Sequence, residues 1–189
     1  MRKALCLCLA LVLAGPAIAY DDNTMGMFFS DSDFSEEARN HDTGSAAFNG
    51  YVVLLDPSVN TVGGYEVGIE ISESMVFVLG VTGPNGWTNF GGNLNHLVGY
   101  VTPLPVYSDG TVLCTLQMLY TQEQYVQIHF GPADPPSLPD GVPVIADGAD
   151  ATNLIACHVL GRDGQVASLN RPAPVTDDAK WSSVKSLFD

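Results

Sequence analysis

Strict alternation of apolar and polar side chains over eight residues constrains the fold of this chain more than any other feature. In the segment 65–72 every second residue is apolar, and the residues between are glycine or polar. The apolar set is Tyr65, Val67, Ile69 and Ile71, and the other set is Glu66, Gly68, Glu70 and Ser72. A period of two places the two sets on opposite faces of a β-strand. The segment therefore predicts a strand with one buried and one solvated face.

Similar strand signals recur along the chain, with turn residues between them. Two more segments alternate: 111–118, where Val112, Cys114, Leu116 and Met118 share a face, and 125–130, where Val126, Ile128 and Phe130 do. Continuous apolar runs at 25–29, 51–55 and 76–81 predict central strands, and further strands are expected at 96–101, 155–160 and 166–169. Turns are expected at Asp56-Pro57, Gly63-Gly64, 83–86, Asp109-Gly110 and Asp163-Gly164. The pattern predicts an all-β protein, an immunoglobulin-like or jelly-roll β-sandwich.

The first nineteen residues have the pattern of a secretory signal peptide. Arg2 and Lys3 precede an apolar run, and Ala17-Ile18-Ala19 forms a small-x-small cleavage site before Tyr20. The expected product is therefore secreted, periplasmic or held at the cell surface. After Tyr20 no apolar stretch is long enough to predict a transmembrane helix.

The charge of the chain excludes two classes of partner. Its 21 acidic residues outnumber its seven basic ones, which gives a formal net charge of −14, and loss of Arg2 and Lys3 would make it more negative. Such a surface repels phosphate backbones, so nucleic acid and anionic lipid are not expected partners. The apolar content of 46% is too high for a disordered acidic chain.

Two cysteines follow the signal segment, Cys114 and Cys157. In an oxidising compartment an even pair predicts a disulfide, which would stabilise the fold by roughly 4 kcal/mol in the chain-entropy model. A reactive or metal-binding pair is the alternative interpretation, although neither cysteine lies in a CxxC motif.

Two blocks of sequence resemble cohesin-like modules. The first joins 51–59 to a Gly-aromatic strand at 62–69, and the second joins an Asp-Gly turn and strand at 109–116 to the strand at 126–130. The resemblance implies a β-sandwich related in fold to carbohydrate-binding domains. The chain also resembles uncharacterised secreted bacterial proteins with a Gly-Met-Phe-Phe strand, here 26–29, and a Trp-x-x-Val-Lys-x-Leu-Phe tail, here 181–188.

No recognised catalytic or metal motif is present in the sequence. The four histidines, His41, His96, His129 and His158, have no ligand-type spacing. Glu66 and Glu70 share a strand face, so a glycoside hydrolase-type carboxylate pair is retained as a weak alternative function. No cofactor is expected. Asp147 and Asp150 are candidates for a structural calcium ion, but they lack the spacing of a twelve-residue calcium loop and also suit turns.

The segment 82–95 is a long loop rich in glycine and asparagine, and such loops are uncommon unless functional or mobile. It contains a candidate carbohydrate site made of Trp87 and Phe90 with Asn85, Asn89 and Asn93. An exposed tryptophan would stack on a sugar while asparagine side chains bind its hydroxyls. Alternatively, the two aromatic side chains cover the end of the core.

The C-terminal residues form a separate unit in the predicted organisation. Residues 1–19 are the signal peptide, 20–170 the sandwich, and 171–189 a Pro-rich linker with a short amphipathic tail. Trp181, Val184 and Phe188 have helical spacing in that tail. The tail either docks on the sandwich or serves as an attachment or sorting signal.

These observations favour an exported, non-catalytic interaction module that binds a protein partner, as an adhesion, scaffold or cell-surface assembly component. The loop 82–95 and the tail are the expected contacts. Carbohydrate binding through Trp87 and its asparagine neighbours is the alternative, so the expected partner is a protein or a polysaccharide.

Overall fold

The structure is a computed structural model that describes residues 22–44 and 46–172. The predicted signal peptide and the tail residues Trp181, Val184 and Phe188 lie outside the described residues. The described strands are β1 (Thr24–Phe28), β2 (Asn40–His41), β3 (Phe48–Leu55), β4 (Thr61–Ile71), β5 (Phe77–Thr82), β6 (Trp87–Asn89), β7 (Asn95–Pro105), β8 (Thr111–Leu119), β9 (Val126–Gly131), β10 (Val144–Asp147), β11 (Leu154–Ala156), β12 (His158–Val159) and β13 (Gln165–Leu169). The only helical element in these ranges is the 3₁₀ turn Glu37–Arg39, which is far too short to cross a membrane.

The strands form two sheets that enclose one main core. The five-stranded sheet has the order β12-β1-β3-β8-β5. The eight-stranded sheet has the order β11-β10-β4-β9-β13-β2, with β7 paired to β4 and β6 paired to β7. Neighbouring strands are antiparallel except at β1–β12 and β13–β2. The predicted all-β sandwich is confirmed.

Alternation of side chains builds the core as the sequence predicts. Tyr65, Val67 and Ile69 of β4 are buried, while Glu66 and Glu70 on the other face are not. In β9 the alternating apolar residues are buried too: Val126, Ile128 and Phe130. Fully burying one such side chain contributes roughly 1.5–3 kcal/mol.

One predicted face is interrupted by a β-bulge in β8. Val52 of β3 pairs with Cys114, but the next residue, Val53, pairs with Val112, so Leu113 is the extra residue. The bulge reverses the alternation, because an extra residue shifts every following side chain to the opposite face. Cys114 therefore points into the main core, whereas Val112 packs in a second, outer apolar cluster.

The sequence predicted a central strand at 76–81, and this prediction is wrong. The segment forms the edge strand β5. Its only described partner strand is β8, and the side chains of Phe77 and Leu79 are each 53% exposed. The runs at 25–29 and 51–55 do lie inside the sheet, as β1 and β3. A continuous apolar run fits a strand buried on both faces and also a strand with an apolar surface.

The predicted disulfide between Cys114 and Cys157 is wrong, because both cysteines are free and buried. Cys157 immediately precedes β12, where the chain crosses from one sheet to the other, and Cys114 lies on β8. Three strand spacings separate β12 from β8, or about 14 Å, whereas a disulfide needs Cα atoms within about 7 Å. Burial raises the pKa of each thiol to about 12, so both remain protonated.

Candidate functional site

At one end of the five-stranded sheet, outward side chains of the described strands are exposed. There β3, β8 and β5 lie side by side, and their outward side chains form cross-strand rows. Gln117 of β8 lies between Asn49 of β3 and Gly80 of β5. In a neighbouring row Leu119 lies beside Phe77. We call the outward side chains Asn49, Phe77, Leu79, Gln117 and Leu119 the open face.

No charged residue occurs in the three strands that carry the open face. β3 reads FNGYVVLL, β8 reads TVLCTLQML and β5 reads FVLGVT. This is notable in a chain with a net charge of −14, whose opposite sheet places Glu66 and Glu70 on its solvated side. Charged residues are depleted at the centres of protein interfaces, where aromatic residues and methionine are enriched. In its lack of charged residues the open face resembles the centre of an interface.

Three large apolar side chains are exposed in one short stretch at this end. Met75 is 48% exposed, and Phe77 and Leu79 follow it at two-residue intervals. Leu79 occupies a bulge of β5, because the register with β8 shifts between Val78 and Gly80. Single exposed apolar side chains are ordinary, but contiguous ones mark interaction surfaces.

The other half of the same sheet is covered by the chain itself. Phe28, Val53 and Leu55 form the outer apolar cluster, and Phe34 and Ala38 from the segment 29–39 pack onto it. The rings of Phe28 and Phe34 lie 5.2 Å apart. The chain thus buries one half of this apolar sheet surface and leaves the β8–β5 half exposed.

The predicted loop 82–95 is largely a β-hairpin made of β6 and the start of β7. Trp87 is partly buried: it packs against the main core and pairs with Tyr100, and its ring lies over Gly83. Phe90 is 77% exposed at the tip of the hairpin. The two aromatic rings therefore differ in accessibility.

The three asparagines of the predicted carbohydrate site have separate positions. Asn89 is occupied in the hairpin, because its Oδ1 accepts hydrogen bonds from the backbone N–H groups of Gly91 and Leu97, and its Nδ2 donates to the Gly92 carbonyl. Asn85 adopts a left-handed conformation in the turn that precedes β6. Asn93 is exposed, and its carbonyl lies 3.1 Å from His96 Nε2.

We expect Trp87→Ala to lower the free energy of unfolding by about 2 kcal/mol, because it removes packing from the edge of the core. Phe90→Ala should change it by less than about 0.5 kcal/mol, since the ring contacts mainly solvent. Urea denaturation of both variants measures the difference. Equal destabilisation by both would show that the hairpin tip packs as tightly as its base.

The calcium candidates are engaged within their own loop. Asp147 accepts hydrogen bonds from the Ala149 N–H and the Asn153 amide, and Asp150 accepts two from Thr152. These bonds hold the pKa of Asp150 below its ordinary value. Across residues 22–44 and 46–172, no group of three or more His, Cys, Asp or Glu side chains is arranged to hold a metal ion.

The histidines and glutamates named in the sequence analysis are also dispersed. His96 is fully buried in the main core, where its Nδ1 lies 3.0 Å from the Tyr65 hydroxyl and 3.6 Å from Cys114 Sγ. Burial lowers the pKa of His96 and raises that of Tyr65 well above its ordinary value. Glu66 accepts hydrogen bonds from the hydroxyl and N–H of Ser137.

Sequence reasoning missed the open face, although a usable signal was present. The expected contacts were the loop 82–95 and the tail, whereas the exposed apolar residues of the edge strand were assigned to the core. The signal was the joint absence of charge from 48–55, 77–82 and 111–119 in so acidic a chain. Only the strand order shows that these three segments form one surface.

Comparison with known proteins identifies the fold. No protein-family model matches the sequence, and no curated protein sequence matches it. Among solved structures, the second type II cohesin module of the adaptor ScaA scaffoldin from Acetivibrio cellulolyticus is similar, with 13% identity and a TM-score of 0.51 over 89% of this chain and all of that module. The type I cohesin–dockerin complex Coh-OlpC-Doc435 from Clostridium thermocellum matches with 9% identity and a TM-score of 0.50, over 82% of this chain and 97% of the other. The chain therefore has a cohesin-like β-sandwich fold.

Proposed function

We propose that this protein is an exported, non-catalytic interaction module that binds a protein partner through the open face. The observation that carries the proposal is an uncharged, partly apolar surface on three adjacent strands of a strongly acidic chain. The side chains of Phe77 and Leu79 are each 53% exposed, so their apolar surface adds less to the stability of the sandwich than buried side chains do. A partner that covers them would remove this apolar surface from water and so gain binding free energy.

The chemistry of the surface defines the partner that it suits. The centre of the contact presents apolar side chains and the neutral amides of Asn49 and Gln117. The partner therefore needs apolar groups opposite the first and hydrogen-bonding groups opposite the second. The overall negative charge favours a partner with basic residues at its rim, because complementary charge speeds association and excludes acidic competitors. Among the described strands only β8 pairs with β5, so the other edge of β5 also offers backbone N–H and C=O groups to an extended segment.

The structural comparison supports a protein partner and suggests a first probe. The similar cohesin of Clostridium thermocellum was solved in complex with a dockerin. Purified dockerin modules are therefore the first panel to test against this chain. Secreted proteins from the organism that produces this chain are the second panel.

We expect Phe77→Glu to reduce partner affinity at least about 100-fold, because it places a charge in the dehydrated centre of the contact. Val101→Glu is the matched control, since Val101 is 81% exposed on β7 of the other sheet. Immobilised wild-type protein and both variants are exposed to the dockerin panel and then to the secreted proteins. Each retained protein is purified and its affinity measured by calorimetry.

The decisive pattern is retention by the wild type and Val101→Glu but not by Phe77→Glu. Retention of every bound protein by Phe77→Glu would contradict the proposed site. Circular dichroism of both variants checks that each is folded, so lost binding is not mistaken for unfolding.

Polysaccharide binding is the second candidate function, and the exposure of Phe90 beside Asn93 is the observation that favours it. Retention on insoluble polysaccharides that Phe90→Ala abolishes and Phe77→Glu leaves intact would assign the hairpin tip as a sugar site. The tail residues Trp181, Val184 and Phe188 remain a predicted protein contact, which Trp181→Ala tests in the same assay.

A further inference from the structure

Every basic residue in residues 22–44 and 46–172 lines one cavity. The three are Arg39, Arg162 and Arg171, and Arg39 is distant in sequence from the other two. The cavity has a volume of about 270 Å³ and lies beside β2 and β13, at the end of the eight-stranded sheet. Among the described residues of its lining, Glu36 is the one acidic residue. The described lining thus brings three guanidinium groups and one carboxylate together in a strongly acidic chain.

Arg39 is fixed in place by the backbone of β13. Its Nε donates to the Val166 carbonyl at 2.6 Å, and its Nη2 donates to the Gln165 carbonyl at 3.0 Å. Gly161 makes room for this guanidinium, because a Cβ at that position would lie 2.5 Å from Arg39 Nη2. The charge of Arg39 is thus pre-positioned, and little side-chain entropy remains to be lost on binding a ligand.

Hydrogen bonds among Tyr125, Gln127 and Gln165 leave the Tyr125 hydroxyl as a neutral donor in the same cavity. Gln127 donates to the side-chain oxygen of Gln165 at 3.0 Å, and Gln165 donates to the Tyr125 hydroxyl oxygen at 3.0 Å. Gln127 also donates to that oxygen, at 3.5 Å. The hydroxyl is the acceptor in both of its bonds, so its own hydrogen is available to an acceptor in the cavity.

The acidic residue in the lining is only weakly engaged. Glu36 Oε1 lies 4.0 Å from Arg171 Nη1, and both side chains are exposed. Exposed ion pairs at this distance contribute little to stability, so a better-placed anion can displace the carboxylate. Arg162 is exposed on the turn that leads into β13.

We propose that this cavity binds an oxyanion, either a free phosphate or sulfate or a carboxylate of an acidic protein segment. Guanidinium groups recognise both through parallel N–H···O bonds, and the Tyr125 hydroxyl supplies a further donor. The site is distinct from the open face and does not depend on the proposed function.

The test follows the side-chain Nε–Hε NMR signals of Arg39, Arg162 and Arg171 in protein labelled with ¹⁵N at arginine. Inorganic phosphate and a short polyglutamate peptide are titrated separately, with sodium chloride matched in ionic strength as the control. We expect saturable shifts of these signals with at least one of the two probes in the millimolar range. The probe that binds more tightly identifies the source of the oxyanion.

Three variants decide whether the shifts report this cavity. The double variant Arg162→Gln/Arg171→Gln should weaken binding about tenfold, as expected for loss of charge-assisted hydrogen bonds. Glu36→Gln should strengthen it about twofold to threefold by removing the internal competitor. Tyr125→Phe should weaken it about threefold to tenfold by removing the neutral donor. Equal shifts with chloride, or phosphate and peptide binding that the double variant does not weaken, would overturn the proposal.

Discussion

Replacing Gly64 by alanine should lower the free energy of unfolding by about 3 kcal/mol, at the upper end of the usual cost of overpacking. Gly64 is buried in β4, between Gly99 of β7 and Ala146 of β10. A Cβ at this position would lie 2.3 Å from the Val98 carbonyl oxygen, a backbone atom of the neighbouring strand. That strand cannot retreat without loss of ladder hydrogen bonds, so the clash is relieved only by disruption of the sheet.

Gly99→Ala is the matched control for Gly64→Ala, because the two glycines are paired across the ladder. A Cβ on Gly99 would have Phe90 Cε2 as its nearest neighbour, at 3.9 Å, which is an ordinary contact. We expect Gly99→Ala to change the unfolding free energy by less than about 0.5 kcal/mol. Urea denaturation with an unchanged m-value measures both. Equal midpoints for the two variants would show that the sandwich absorbs the added methyl group.

Gly64 also illustrates what the sequence could and could not predict. Period-two alternation correctly placed β4 and the side chains that it buries. The pair Gly63-Gly64 predicted a turn before that strand, but β4 begins at Thr61 and contains both glycines. The two glycines allow neighbouring strands to approach closely. A glycine in a sequence is consistent with a turn and also with close packing of strands, so the pair could not decide between them.

The sequence carried a charge signal for the open face, but neither candidate site could be located from it, because both depend on which strands become neighbours. The open face exists only where β5 and β3 flank β8, and the arginine cavity only where β2 pairs with β13. Composition indicated an acidic protein but did not show that Arg39, Arg162 and Arg171 converge. The disulfide prediction failed for the same reason. The number of cysteines and the expected compartment say nothing about the distance between Cys114 and Cys157 in the fold.

The sandwich should lose stability below about pH 6.5, because the core contains a histidine that is harder to protonate in the folded chain than in the unfolded one. His96 Nε2 lies 3.1 Å from the Asn93 carbonyl, which can only accept, so Nε2 carries the hydrogen. Nδ1 then accepts from the Tyr65 hydroxyl at 3.0 Å. Burial lowers the pKa of His96. This effect is larger than that of the hydrogen bond to the Asn93 carbonyl, which raises the pKa.

The described groups that contact His96, namely Tyr65, Asn93 and Cys114, provide no anion to stabilise an imidazolium. Burial raises the pKa of Tyr65 well above its ordinary value and that of Cys114 to about 12, so both stay neutral. The unfolded chain therefore binds a proton at His96 as the pH falls through about 6.5, while the folded chain does not. Stability is fully present above this pH and falls below it, until the lowered pKa of the folded state is reached. One such group contributes a slope of at most about 1.4 kcal/mol per pH unit.

Urea denaturation between pH 8 and pH 5 tests the assignment through the slope of unfolding free energy against pH. His96→Gln should flatten this slope, because glutamine keeps a polar side chain but does not titrate. Some slope should remain from His41, whose pKa burial also lowers, against an opposing effect of Asp42. His158→Gln is the matched control, since it makes the same substitution at an exposed histidine. A slope unchanged by His96→Gln would mean that the core admits the imidazolium, contrary to the hydrogen-bond directions at Asn93 and Tyr65.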